Sequence, residues 1–240
     1  MGSSPGSVLV RALAVALSAV VVIACGRTEP EQSIDQAVES PGQPGEPTTP
    51  VIVCLGDSLT AGLGLLSAQA YPHLIEQMFA AEGYDVDMLN AGVSGDTSAG
   101  GVRRVEGLLG PAVAALVVAL GANDALRGLK PSETYDNLAG IIEAAAAEGI
   151  PVLLAGMEAP PNLGEDYRDA FREVYAQLAR DYRDIVIWVP FLLEGVAGLP
   201  AMNQADGVHP NEKGARVIAE LLYPKLRTVI DQLPQQGLPQ

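Results

Sequence analysis

Val51–Gly64, VIVCLGDSLTAGLG, is the stretch around which the rest of the chain is organised. Val51–Leu55 reads as a buried strand, Gly56-Asp57-Ser58 as a sharp turn, and Leu59-Thr60-Ala61-Gly62 as the start of something helical or looped. A serine on the first turn past a buried strand is held at the edge of a sheet. Its hydroxyl then faces solvent, and the backbone N–H groups of the next helix lie close by. A nucleophile would stand there. Strand–turn–helix with a serine is also a common structural unit, so this stretch by itself leaves both readings open. The remaining sequence must supply a base, an orienting acid and oxyanion donors.

Toward the C-terminus four more short apolar runs follow: Val86–Leu89, Ala114–Leu120, Pro151–Ala155 and Ile185–Val189. All five are near-continuously apolar, as parallel strands covered on both faces would be. Helical spacing links Leu74, Ile75, Met78 and Phe79, then Val102, Val105, Leu108 and Leu109, with Asp96 placed to cap the second helix. It also links Tyr135, Leu138, Ile141 and Ile142, ending at Gly149, and Tyr167, Phe171, Val174, Leu178 and Tyr182. Val217, Ile218, Leu221 and Leu222 form the last helix, capped near Asn211. Strand and helix repeated five times predict a three-layer α/β/α sandwich around a five-stranded parallel sheet, spanning residues 51–232, with a flexible tail at 233–240.

The 240-residue chain is 48% hydrophobic, which suits one domain with a substantial core. A formal charge of −15 argues against nucleic acid or an anionic lipid surface as an electrostatic partner. Residues 1–24 read as an export signal: Arg11 is the only charge, and the apolar run Ala12–Ala24 is short for a membrane span. Val22-Ile23-Ala24-Cys25-Gly26 resembles the lipobox of bacterial lipoproteins, which implies lipidation of Cys25 and a membrane-anchored protein of the cell envelope. An ordinary secretory signal with an incidental cysteine is the other reading. Residues 25–50, proline-rich and slightly acidic, read as a disordered tether. Cys54, inside the first strand, reads as a buried and inert thiol.

In open parallel sheets ligands bind beyond the C-terminal strand ends. Chemistry-bearing residues collect there: Gly56-Asp57-Ser58, Asn90–Thr97, Gly121-Ala122-Asn123-Asp124, and Asp206–Pro210 after the fifth strand. There are two histidines. His73 lies in the first amphipathic helix and reads as a surface or packing residue. His209 follows Asp206 by three residues, so the carboxylate can accept from one ring nitrogen and leave the other to take a serine proton. Asp-Gly and His-Pro are equally turn-forming pairs. Gly92, Asn123 and the backbone N–H of Ser58 are the candidate oxyanion donors.

GDSL at 56–59, NAGVSGDTSAGG at 90–101, LGAND at 120–124 and DGVHPN at 206–211 resemble the four sequence blocks of the GDSL (SGNH) hydrolase family. The resemblance runs from about Val51 to Arg227 and is strongest toward bacterial arylesterases and multifunctional acyl-CoA thioesterase/lysophospholipases. It implies a flavodoxin-like sheet order, Ser58 as nucleophile, Asp206 and His209 as its partners, and Ser58, Gly92 and Asn123 as the oxyanion hole. It implies no cofactor and no metal. The Gly-x-Ser-x-Gly elbow of α/β-hydrolases is absent.

The expected reaction is hydrolysis of carboxylic esters, and of thioesters, with short-to-medium acyl groups, on small substrates such as aryl esters or lysophospholipids. Gly156–Gly164, following the fourth strand, reads either as a wall for the acyl chain or as an ordinary surface loop. A carbohydrate O-acetylesterase and a non-catalytic ligand-binding lipoprotein are the competing readings. The single tryptophan, Trp188, counts mildly against the first, and the set of Ser, Asn, His and Asp against the second.

Overall fold

Five parallel strands form where the apolar runs predict them: β1 (Val51–Gly56), β2 (Asp87–Gly92), β3 (Val113–Ala119), β4 (Val152–Ala155) and β5 (Val186–Val189). This computed structural model describes residues 49–233. The expected signal, most of the tether and residues 234–240 lie outside the described residues. Among the described residues the helices are α1 (Ser58–Ala61), α2 (Tyr71–Ala81), α3 (Ser98–Val105), α4 (Ala122–Leu126), α5 (Pro131–Ala147), α6 (Glu165–Asp181) and α7 (Glu212–Asp231).

The strand order is β2-β1-β3-β4-β5. Right-handed crossovers in that order place helices on both faces. α2 packs with α7 on one side, and α3, α5 and α6 pack in succession on the other. The order makes β1 and β3 neighbours at the point where the chain changes winding direction, so a crevice opens beyond their C-terminal ends.

The central strands behave as their sequences demand. Ile52–Leu55 and Leu116–Leu120 have no exposed surface, and fully burying a Leu or Ile is worth about 1.5–3 kcal/mol. Cys54 is among them, and burial pushes its thiol well above its ordinary range. The expectation of cover on both faces fails at β2. It is an edge strand hydrogen-bonded to β1 alone, and Asp87, Leu89 and Asn90 are exposed. Trp188 lies on the opposite edge strand, β5, and is 37% exposed.

Two helical details also differ from expectation. Thr97, not Asp96, occupies the N-cap of α3. Asp96 instead pairs with Arg104 (Nε–Oδ2 2.9 Å), because the guanidinium from the last turn of the helix competes for the carboxylate. On the same helix Val102 faces outward and is exposed, while Gly100 and Gly101 take the buried positions. α7 starts as expected: Asn211 Oδ1 accepts from the N–H groups of Lys213 and Gly214.

Candidate active site

Strand register decides what stands beside Ser58. Gly56, the last residue of β1, is level with Gly92 on β2 and Ala119 on β3. The segments that leave β2 and β3 therefore emerge on either side of Asp57-Ser58. Ser58 opens α1, and Asp57 caps that helix by accepting the Leu59 N–H (3.0 Å).

His209 reaches the serine from the long connection between β5 and α7. Its Nε2 lies 2.9 Å from Ser58 Oγ, and its Nδ1 lies 2.7 Å from Asp206 Oδ2. A carboxylate only accepts, so Nδ1 carries the proton and Nε2 is left to accept from the serine hydroxyl. The other Asp206 oxygen accepts the backbone N–H groups of Val208 (2.9 Å) and His209 (3.0 Å). The hydrogen bond from His209 and these two N–H groups hold the Asp206 carboxyl down at about 2. The other histidine, His73, sits on the surface of α2 against Glu76 (Nδ1–Oε2 2.9 Å).

The opposite side of Ser58 is held by a polar network. Asn123, in α4, donates through Nδ2 to Asp57 Oδ2 (3.0 Å) and to the Asp96 carbonyl (2.9 Å). Asp57 is 1% exposed, and burial pushes its carboxyl up to about 6 against the pull of the Leu59 N–H, the Asn123 amide and the charge of His209. Arg104 donates to the Gly56 carbonyl (Nη2, 2.8 Å), the Ala91 carbonyl (Nη1, 2.6 Å) and Asp96. One guanidinium thus ties the ends of β1 and β2 to the loop that carries the Asn123 contact.

Gly92 does not offer a free donor, contrary to expectation. Its N–H donates to Asn90 Oδ1 (3.0 Å), and a Cβ there would lie 2.2 Å from the Ala61 nitrogen. The close approach this glycine allows is to α1, which Asn90 Nδ2 also binds through the Thr60 carbonyl (2.9 Å). Gly95 lies in the same loop, next to the Asp96 carbonyl that meets Asn123. Its N–H has no hydrogen-bond partner among the described residues, and the Ser58 N–H has none either. Both glycines stand in NAGVSGDTSAGG, so the sequence contains the alternative but no means of choosing.

Asp124, beside Asn123, turns inward. Fully buried, it accepts from the Ser98 N–H (2.9 Å) and hydroxyl and from Thr134 Oγ1 (3.3 Å), fastening α3 and α5 beneath α4. In the loop after β4, Met157 and Ala159 are buried, so only Glu158 and residues 160–164 present surface to solvent. Leu63, Val93, Leu126 and Val208 are 47–59% exposed and sit on the four segments that bear Ser58, Gly95, Asn123 and His209.

Residues 54–217 match the GDSL-like Lipase/Acylhydrolase family. The chain is 43% identical over 180 residues to Esterase TesA of Pseudomonas aeruginosa, covering 75% of this chain and 89% of that protein. It is 34% identical over 181 residues to the Thioesterase 1/protease 1/lysophospholipase L1 of Escherichia coli, covering 75% and 85%. A crystal structure of TesA superposes with a TM-score of 0.71 at 42% identity, covering 75% of this chain and 99% of that one.

Proposed function

Because the chain belongs to the GDSL-like Lipase/Acylhydrolase family and is an ester hydrolase, we propose that it works through a Ser58–His209–Asp206 triad and an acyl-enzyme. The observation that carries this reading is the continuous chain of hydrogen bonds from Ser58 Oγ through His209 to Asp206, at 2.9 and 2.7 Å. Ser58 Oγ attacks the carbonyl carbon of the ester while His209 Nε2 takes its proton. Asp206 holds the ring in the required tautomer and stabilises the imidazolium. His209 then protonates the departing alcohol or thiol. Water repeats the sequence on the acyl group, restoring the serine.

The tetrahedral intermediate places negative charge on the former carbonyl oxygen. The donors assigned to it are the N–H groups of Ser58 and Gly95 and the Asn123 amide, with Gly95 replacing Gly92. Both hydrogens of Asn123 Nδ2 are engaged, so the oxyanion must displace the Asp96 carbonyl while the bond to Asp57 keeps the amide aimed.

The substrates proposed are small esters and thioesters with short-to-medium acyl groups, lysophospholipids and aryl esters among them. The exposed apolar side chains on the segments that bear Ser58, Gly95, Asn123 and His209 suit amphiphilic esters. Similarity to a thioesterase and lysophospholipase supports the same range. We further infer from residues 22–26 that Cys25 is lipidated and holds the enzyme in the bacterial envelope, where lysophospholipids rather than cytoplasmic acyl-CoA would be met. Labelled palmitate incorporated by the wild type and not by Cys25→Ser supports the anchor, and equal labelling overturns it.

The experiment for the catalytic reading is a series of aryl esters from acetyl to dodecanoyl, run with wild type and Ser58→Ala. Activity across short and medium chains, lost in the variant, is the expected result. Activity on acetyl alone points to a sugar acetylesterase, and activity surviving in Ser58→Ala removes Ser58 as nucleophile.

A further inference from the structure

Proton transfer between Ser58 and His209 depends on a separation that the sheet does not set. Ser58 follows β1, His209 follows β5, and β3 and β4 lie between them. The Asp206–His209 pair is internal to one turn and cannot register itself against the serine. Some other contact must hold the two loops at the right distance.

Gln204 makes that contact. Its side-chain Nε2 donates to the carbonyl of Leu63 (2.6 Å), five residues beyond Ser58, and to the carbonyl of Pro210 (2.9 Å), which adjoins His209. Its backbone N–H donates to the His209 carbonyl (2.8 Å), and its own carbonyl accepts from Gly207 (3.0 Å). Both amide hydrogens are spent on carbonyls from the two loops that must meet. The neighbouring Asn203 anchors this turn by donating to the Val196 (2.7 Å) and Leu199 (2.9 Å) carbonyls.

The interlock also accounts for Gly64, which turn geometry does not fully explain. Gly64 has φ +80°, and a Cβ on it would lie 2.2 Å from Gln204 Oε1. The glycine leaves open the space that the glutamine amide fills. Two residues 140 positions apart in the sequence thus form one latch between the serine loop and the histidine loop.

We propose that Gln204 is a positioning residue for ester hydrolysis, setting the Ser58–His209 separation by tying the Leu63 carbonyl to the Pro210 carbonyl. The inference rests on the reading of Ser58 and His209 as nucleophile and base. Misplacing a reacting group by about 1 Å can cost on the order of 100-fold in rate. The loss should fall on kcat, because Gln204 acts through the proton transfer and not through substrate affinity.

Gln204→Met keeps the side-chain volume and removes both donors. Gln204→Glu keeps the shape and sets a carboxylate against two carbonyls. Each is measured in the full chain beside wild type and Ser58→Ala, for kcat and KM on a short aryl ester, thermal midpoint, and the rate at which an aryl phosphonate modifies the serine. With Gln204→Met, kcat and the phosphonylation rate should fall together by about 10- to 100-fold while KM stays within about twofold. The acid side of the pH–rate profile should stay in place, because the Asp206–His209 pair is untouched. Gln204→Glu should be at least as slow.

Wild-type kcat per reactive serine in folded Gln204→Met, or a loss that only tracks the unfolded fraction, overturns the proposal. Should Gln204→Met not fold, the same comparison made on Gln204→Glu decides it. Activity surviving in Ser58→Ala removes the nucleophile assignment and this inference with it. Inactive Ser58→Ala beside fully active Gln204→Met removes the inference alone.

Discussion

The side-chain nitrogen of Asn123 donates to the buried carboxylate of Asp57 at 3.0 Å. Asp57 thereby orients a proposed oxyanion donor while its other oxygen caps the helix that begins with Ser58. One buried acid serves both sides of the serine, and the cost is a carboxyl pushed up to about 6 by burial.

Asn123→Ala should lower kcat by about 10²–10³ with a smaller change in KM, since an oxyanion donor acts mainly in the transition state. Steady-state kinetics on an aryl ester checks this. A kcat within threefold of wild type would leave Asn123 as a structural residue only.

Asp57→Asn should change the pH dependence of stability in a stated direction. Between its ordinary value of 3.8 and about 6, folded Asp57 binds more proton than the unfolded chain, so this group makes stability fall as pH rises through that window and contributes no slope above it. Asparagine removes the titration. Urea midpoints of the two proteins should therefore shift in favour of the variant from about pH 4 to about pH 6.5, then run parallel. The variant should also lose activity, because its amide sets a donor against either Leu59 N–H or Asn123 Nδ2.

Asp206→Asn should reduce kcat by up to about 10⁴ by stabilising the wrong imidazole tautomer. Near-normal turnover would make Asp206 a turn residue. Stability should respond as well. The folded protein holds this carboxyl at about 2, below its ordinary 3.8, so its contribution is present above that ordinary value and disappears as pH falls toward 2. Acid denaturation of the variant, followed by circular dichroism, should lack that component.

Arg104→Met should destabilise the fold by about 1.5–3 kcal/mol, the scale of hydrogen bonds to a charged group, read from urea unfolding. The Ala91 carbonyl and the Asp96 carboxylate lose their guanidinium partner together. Arg104→Lys should recover little, since one ammonium cannot span three acceptors on separate segments. Equal stability of Arg104→Lys and wild type would mean that charge alone matters here.

Patterns local in the chain are legible in the amino-acid sequence. The five strands lie within a few residues of the apolar runs, because a strand buried on both faces has little choice but continuous apolar sequence. The edge strands β2 and, at Trp188, β5 are the exceptions in cover, since edge position is a property of sheet order and not of the strand itself. The hydrogen-bonded set of Ser58, Asp206 and His209, the proposed triad, is within reach of the sequence because the turn after a strand and the three-residue spacing of acid and base are local features. The engagement of the Gly92 N–H by Asn90, which moves the proposed donor to Gly95, has the opposite character. Which N–H in the loop stays free depends on Asn90, Ala61 and Asn123.

By itself, then, the sequence determined the α/β class, the strand positions and the residues proposed here to carry acyl transfer, all read from short-range periodicity and turn chemistry. Only the tertiary structure decided how those residues are held. Asp57 on Asn123, Arg104 across Gly56, Ala91 and Asp96, and Gln204 between Leu63 and Pro210 each join distant segments through backbone carbonyls or buried carboxylates. A carbonyl has no side-chain identity and leaves no mark in the sequence, so such contacts exist only once the chain has folded.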